Sequence, residues 1–156
     1  MYFISPTKGR LSMEEMLQDI SDFIVAHPRD TYRLTIGTDS QPGEITCFVT
    51  AVIIHREGKG ARFYYTKKHQ KHQTSFRQRI FSEASQSLSL AGSIIDFFAV
   101  FSSRLTVEIH LDVGEQGKTR ELIQQVVAMV NTSGFLARVK PLSYAASKVA
   151  DRFTKH

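Results

Sequence analysis

Two aspartates stand where strand-like segments of the sequence end. Asp39 follows the apolar and β-branched segment Ile36–Thr38, and Asp112 follows the segment Val107–Leu111. Carboxylates just outside an apolar strand occupy the edge at which open α/β sheets bind their ligands. We therefore expect both aspartates at a ligand-binding edge. The alternative is an ordinary turn, since aspartate is common wherever a strand gives way to one.

Two further carboxylates lie in helix-like segments. Glu83 sits at the rim of an apolar helix face that runs through Ile80 and Leu88. That position suits either a functional carboxylate or a boundary residue whose charged head reaches water. Asp151 lies in the last helix-like segment, away from the apolar side formed by Val149 and its neighbours, so its place on the helix favours exposure to solvent.

A basic segment precedes Glu83. No acidic residue occurs between Glu57 and Glu83, while the whole chain carries a formal net charge of +5 and has a pI of about 9.5. Tyr64 and Tyr65 offer rings on which bases could stack. The cations that we expect to bind phosphate groups are Lys67, Lys68, Lys71, Arg77 and Arg79. This pattern permits a nucleic-acid partner without requiring one, and a solvated charged surface is the alternative.

The spacing of apolar residues predicts the elements that position these side chains. Ser12 and Glu15 form a capping box for a helix that ends near His27. After it, the order β-β-β-α-β-α-β-α is predicted over residues 32–38, 45–55, 61–66, 74–90, 105–113, 118–130, 136–142 and 146–154. Short connections make the first three strands antiparallel, and helical crossovers make the later ones parallel. The prediction is an α/β fold with a mixed five-stranded sheet flanked by helices.

Length and composition indicate one globular domain. The chain has 156 residues, of which 42% are hydrophobic and 22% charged. We expect a single domain over 1–156, with an amino-terminal helical extension at 1–30 and a core at 31–156. The lone cysteine, Cys47, and the lack of a secretory leader or a long apolar run predict a cytoplasmic protein that does not contact membranes.

The order of elements and the positions of the four acids resemble the ribonuclease H-like fold. Three local sequences are similar to those of the YkuK-like family of bacterial proteins, which is grouped with that fold: Ile36–Gln41, His110–Val113 and Ala145–Asp151. The pair formed by Ala150 and Asp151 is also similar to the last-helix signature of ribonucleases H. The resemblance covers about residues 31–156.

The resemblance implies a nuclease that depends on Mg²⁺ or Mn²⁺. In that fold, acids from the first strand, first helix, fourth strand and last helix hold two divalent metal ions. Carried over to this chain, Asp39 bridges both metals, Glu83 and Asp112 complete one site, and Asp151 holds the second. Two such ions hydrolyse phosphodiester bonds, here of RNA, DNA or a hybrid. The alternative is a non-catalytic module on the same fold that binds nucleic acid or protein.

Overall fold

A computed structural model of the protein describes residues 1–72, 75–101, 103–113, 120–140 and 142. The helix predicted over 146–154, which contains Asp151, lies outside the described residues, as does the predicted helix start at 118. The described elements follow in this order: β1 (Tyr2–Ser5), β2 (Gly9–Ser12), α1 (Met13–Ala26), β3 (Tyr32–Gln41), β4 (Ile45–Arg56), β5 (Gly60–Lys71), α2 (Phe76–Ile95), a 3₁₀ turn (Ala99–Phe101), β6 (Leu105–His110), α3 (Arg120–Thr132) and β7 (Leu136–Arg138).

The strands form one mixed sheet, which confirms the predicted fold class. Within the described residues the strand order is β2-β1-β5-β4-β3-β6-β7. Pairing is antiparallel from β2 to β3, whereas β6 is parallel to both β3 and β7. The described sheet has seven strands rather than five, because residues 2–12 add a hairpin, β1–β2, that pairs with β5. The strands predicted from the sequence occupy the other five places.

The second helix continues beyond residue 90, where the sequence predicted its end. Gly92 lies inside α2, which ends at Ile95. A glycine inside a helix costs about 1 kcal/mol relative to alanine. Its neighbours Ala91 and Ile94 are both buried, so packing against the sheet offsets that cost. No helix among the described residues is long and apolar enough to cross a membrane.

The main hydrophobic core lies on one face of the sheet, against α1, α2 and α3. Ile20 of α1 and Val126 of α3 belong to it, together with Ile36 of β3. Val49 belongs to a smaller cluster that is separate from this core. Because side chains alternate along a strand, Asp39 of β3 points to the face opposite Ile36. The sheet therefore separates Asp39 from the three described helices.

The amino end of α1 has the predicted cap. The Ser12 hydroxyl accepts a hydrogen bond from the Glu15 N–H at 3.1 Å, and the Glu15 carboxylate accepts one from the Ser12 N–H at 2.9 Å. This reciprocal pair is a capping box. It begins the helix immediately after β2.

Asp19 attaches α1 to the sheet. Its carboxylate is 6% exposed, accepts hydrogen bonds from the Tyr64 hydroxyl and the Lys8 ammonium, and lies 3.3 Å from the Arg62 guanidinium. Burial alone would raise the pKa of Asp19, but the hydrogen bonds from Lys8 and Tyr64 and the nearby cations hold it below its ordinary value. Tyr64 is buried in this contact, so the expectation that its ring is available for stacking is wrong.

Replacing Asp19 with alanine should lower the free energy of unfolding by about 2–3 kcal/mol, because the buried Tyr64 hydroxyl loses its acceptor. Urea unfolding at neutral pH measures this change. Asp22→Ala is the matched control, since Asp22 is an exposed acid on the same helix. It should change stability by no more than about 0.5 kcal/mol. Equal losses in the two variants would show that Asp19 does not attach α1.

Candidate functional site

The pairing of β3 with β6 brings Asp39 and Asp112 to one edge of the sheet. These strands are parallel, and their last paired residues are Gly37 and His110. Counting two residues onward from that pair reaches Asp39 on β3 and Asp112 just after β6. Residues in the same row of a parallel pair lie on the same face and on neighbouring strands about 4.8 Å apart. Continued by two residues, this register puts the two aspartates on the same face of the sheet, just beyond the last parallel pair.

Polar contacts between α2 and β3 place Glu83 at the same edge. The Ser40 hydroxyl donates a hydrogen bond to the Glu83 carboxylate at 2.5 Å, and the hydroxyls of Thr38 and Ser87 are 2.7 Å apart. Four residues of helix rise about 6 Å, and two residues of strand rise about 6.6 Å. The two contacts therefore match in spacing, and together they fix the height of α2 along β3.

Glu83 is a buried acid close to two other acids. Its side chain is 7% exposed. Burial raises the pKa of Glu83 to about 8, and the negative charges of Asp39 and Asp112 contribute to the increase. The hydrogen bond from Ser40 and the charge of Arg79 act in the opposite direction. Three of the four acids predicted from the sequence are thus within electrostatic reach of one another.

A small cavity separates Glu83 from Asp112. Its volume is about 10 Å³, and its walls include Thr38, Ile80 and His110. This space is about large enough for a single water molecule. On its outer side the Asp112 carboxylate pairs with the Lys140 ammonium at 2.9 Å, and the Lys140 side chain is 57% exposed.

The donor chemistry of these acids fits a divalent cation. Mg²⁺ and similar ions prefer carboxylate oxygens, and a cation relieves the repulsion that raises the pKa of Glu83. In the described part of the chain, however, no three His, Cys, Asp or Glu side chains converge closely enough to hold a metal. Asp39 and Asp112 belong to one face of the sheet, while Glu83 approaches from the other. Asp151, the fourth predicted ligand, lies outside the described residues.

Glu108 and His110 support the strand that carries Asp112. Both are buried, and the His110 Nε2 lies 3.0 Å from the Glu108 carboxylate, which also pairs with Arg138 at 3.4 Å. Burial alone would raise the pKa of Glu108, but its contact with His110 and the charges of Arg138 and Arg33 hold it below its ordinary value. His110 is only 3% exposed, so this contact lies in the interior.

Sequence reasoning missed two residues of this arrangement. Glu108 was given no role, although Glu108, His110 and Asp112 recur at every second position of one strand, which places three polar side chains on one face. That alternation was the available signal. Ser40 has only the local pattern of a turn residue near the end of a strand. Its bond to Glu83 joins residues 43 positions apart in the chain, and local sequence carries no sign of such a contact.

The predicted basic residues lie on β5 and at the start of α2. Lys67, Lys68 and Lys71 are exposed at the carboxyl end of β5. Val49 pairs with Asp39 on one side and with Lys67 on the other, so Lys67 is two strands from Asp39, about 9.5 Å away between backbones. Arg79 is near enough to lower the pKa of Glu83, whereas Arg77 donates a hydrogen bond to a glutamine of α3.

Comparisons with known proteins agree with the resemblance seen in the sequence. A family model described as Ribonuclease H-like matches residues 15–155. A protein of Bacillus subtilis (strain 168) that carries the name Uncharacterized protein YkuK is 34% identical over 167 residues, which cover 98% of this chain and 96% of the relative. No solved structure was found to match the chain.

In the absence of divalent ions, Glu83→Gln should stabilise the protein at alkaline pH. The ordinary pKa of about 4.5 applies in the unfolded state and a pKa of about 8 in the folded state. The folded protein therefore loses stability as the pH rises from 4.5 to 8, by up to a few kcal/mol. Glutamine keeps an acceptor for Ser40 and cannot ionise.

Chemical unfolding at pH 4.5 and pH 9 with a chelator present measures this difference. The Gln variant should equal the original protein at pH 4.5 and exceed it in stability at pH 9. Glu121→Gln, at an exposed position on α3, is the matched control and should leave the pH dependence unchanged. A Glu83→Gln variant with the same pH profile as the original protein would contradict the raised pKa.

Proposed function

The chain belongs to the ribonuclease H-like family, and from this premise we propose that it hydrolyses phosphodiester bonds of nucleic acid with the help of Mg²⁺ or Mn²⁺. One observation carries the proposal. Glu83 is buried within electrostatic reach of Asp39 and Asp112, and their charges add to the burial that raises its pKa to about 8. Burying a carboxyl next to two others destabilises a fold, and such perturbed groups cluster at functional sites.

The proposed ligands are Asp39, Glu83, Asp112 and Asp151. When bound, Mg²⁺ or Mn²⁺ supplies an activated water nucleophile and stabilises the charge that develops on the leaving oxygen. Ser40 holds the Glu83 carboxyl at the edge of the sheet through its 2.5 Å hydrogen bond. Release of the Glu83 proton is then coupled to metal binding, because a ligating carboxyl must be ionised.

The ion pair between Lys140 and Asp112 does not prevent this binding. Lys140 is more than half exposed, and pairs of that kind are worth about 0–1 kcal/mol. A divalent ion shared among several carboxylates interacts with them far more strongly than one hydrated ammonium does. A divalent ion that binds Asp112 would therefore displace Lys140 from the ion pair.

The exposed lysines of β5 suit a polyanionic substrate. Lys67, Lys68 and Lys71 lie in the carboxyl-terminal part of β5, towards the same edge of the sheet as Asp39. Phosphate groups bind lysine mainly through charge, independently of base sequence. The positions of these lysines support nucleic acid as the substrate class.

A second candidate function is a non-catalytic module that binds nucleic acid or protein. Two observations favour it: Asp112 is paired with Lys140, and no three potential metal ligands converge within the described residues. Such a module would bind nucleic acid with a strong dependence on salt and with no need for a divalent ion. The two functions therefore differ in their response to a chelator.

Adding Mn²⁺ should raise the melting temperature if the acids bind metal in the folded state. At a hundred times the dissociation constant the stabilisation is about 2.7 kcal/mol, which corresponds to roughly 5–10 °C for a chain of this size. Asp39→Asn and Asp112→Asn should each abolish the shift, and Asp151→Asn should reduce it. Differential scanning fluorimetry with and without Mn²⁺ measures these effects.

Asp22→Asn is the control for this experiment, because Asp22 is an exposed acid on α1, away from the site. It should retain the full shift. A shift that survives in Asp39→Asn, or one lost equally in Asp22→Asn, would show that the metal binds elsewhere or without specificity.

Hydrolysis of labelled RNA, DNA and hybrid substrates should require Mg²⁺ or Mn²⁺. Asp39→Asn should reduce the rate by about a thousandfold or more, because a residue that would hold the metal is lost. Lys71→Gln should raise KM with little change in kcat, since it removes a phosphate contact distant from the reaction. Salt-sensitive binding of these substrates without cleavage, equal with and without a chelator, would establish the non-catalytic module instead.

A further inference from the structure

A groove runs between β5 and α2 on the face of the sheet that carries the main core. Its volume is about 660 Å³. Ser82 and Ser93 of α2 both line it, and a separation of eleven residues spans about 16 Å along a helix. An elongated groove of this kind, bounded by one strand and one helix, has room for one extended chain.

The lining of the groove suits a phosphate backbone. Among the described residues no acid lines it, and the polar side chains there are hydroxyls, amides and two lysines. Ser85, Ser89 and Ser93 recur along one side of α2 and are exposed to the groove, and Thr66 and Lys68 of β5 face them from the opposite wall. Hydroxyl, amide and lysine side chains are the usual partners of phosphate and sugar oxygens.

Two further observations point to a ligand in this groove. The side-chain nitrogen of Gln86 is buried and has no hydrogen-bond partner among the described residues, although Gln86 lines the groove. A buried amide donor in this state is rare without a partner. Tyr2 is half-exposed at the groove wall, where its ring stacks with Arg10 at 4.1 Å and leaves a surface of the kind on which bases stack.

One end of the groove reaches the acids. Ser82 immediately precedes Glu83 in α2. Phe48 pairs with Ser40 on one side and with Lys68 on the other, so Lys68 lies in the same row as the residue that holds Glu83. The groove therefore begins beside the turn of α2 that carries Glu83, and its Lys68 lies two strands, or about 9.5 Å, from Ser40.

We propose that this groove binds a single strand of nucleic acid and leads it to the acids at the sheet edge. The inference rests on the proposed function and extends it by naming the substrate class as single-stranded nucleic acid or the single-stranded part of a larger one. Phosphates contact Lys68 and the serine row of α2, and the amide of Gln86 gains its missing acceptor. A duplex is bound only through a single-stranded end.

Fluorescence anisotropy of the full chain in the presence of EDTA tests this proposal without any cleavage. The probes are a fluorescein-labelled ten-nucleotide oligothymidylate, the matching oligouridylate and a blunt ten-base-pair duplex. At least one single strand should bind ten times more tightly than the duplex. The double substitution Ser85→Glu with Ser89→Glu should weaken that binding at least tenfold, and lysine at both positions should tighten it.

Ser103→Glu is the matched control, because Ser103 is exposed and outside the groove. It should bind like the original protein. Glutamate and lysine both have a higher helix propensity than serine, and opposite effects of the two charges cannot come from unfolding. Unchanged binding in the double glutamate variant, or equal affinity for duplex and single strands, would overturn the proposal.

The same experiment separates this inference from the proposed function. The protein could bind single strands through the groove and yet cleave none of the substrates with Mg²⁺. That result would support the groove proposal and contradict the nuclease proposal. Unchanged cleavage by the double glutamate variant would support the nuclease proposal and contradict the groove proposal.

Discussion

The parallel pairing of β3 with β6 is the constraint on which the candidate site depends. Parallel neighbours end at the same edge of a sheet, so the chain after β5 must cross back before β6 can begin. That crossover is α2, and it returns across the face of the sheet next to β3. The register from Tyr32 to Gly37 on β3 then sets both aspartates in one row. A shift of one residue would move Asp112 to the opposite face from Asp39.

The buried carboxyl of Glu83 destabilises the fold, and packing elsewhere compensates for it. With a pKa of about 8, Glu83 is largely neutral at pH 7, and its ionisation lowers the free energy of unfolding. The hydroxyl pair of Thr38 and Ser87 lies one helical turn further along α2, and the apolar residues Ile80 and Ala84 flank Glu83 in the core. These contacts hold α2 against β3 and leave Glu83 little freedom to move its carboxyl into water. The unfavourable burial of the Glu83 carboxyl is therefore retained at this edge of the sheet.

The elements that follow from strong periodicity were predictable, and those that depend on contacts distant in sequence were not. Apolar spacing identified α1, β4 and β6 from the sequence because each buries a continuous face. The hairpin β1–β2 was missed, since each strand has only four residues and its turn relies on Gly9 at a φ of 72°. The positions of Asp39 and Asp112 at strand ends followed from local pattern. The partner of Glu83 did not, because Ser40 and Glu83 meet only when β3 and α2 pack together.

Two groups of opposite charge, the lysines of β5 and the acids, lie near the same edge of the sheet. They would neutralise each other if they were closer. The Debye length at physiological ionic strength is about 8 Å, and Lys67 lies about 9.5 Å from Asp39 between backbones. Screening over that backbone distance weakens the attraction between the lysines and the acids without removing it, so each group keeps part of its attraction for ions of the opposite charge. The low dielectric around Glu83 has the opposite effect at short range, because it strengthens the repulsion among the three carboxyls. The lysines of β5 can therefore attract a polyanion without a metal ion. A phosphate group can approach Asp39 only after positive charge has neutralised the acids.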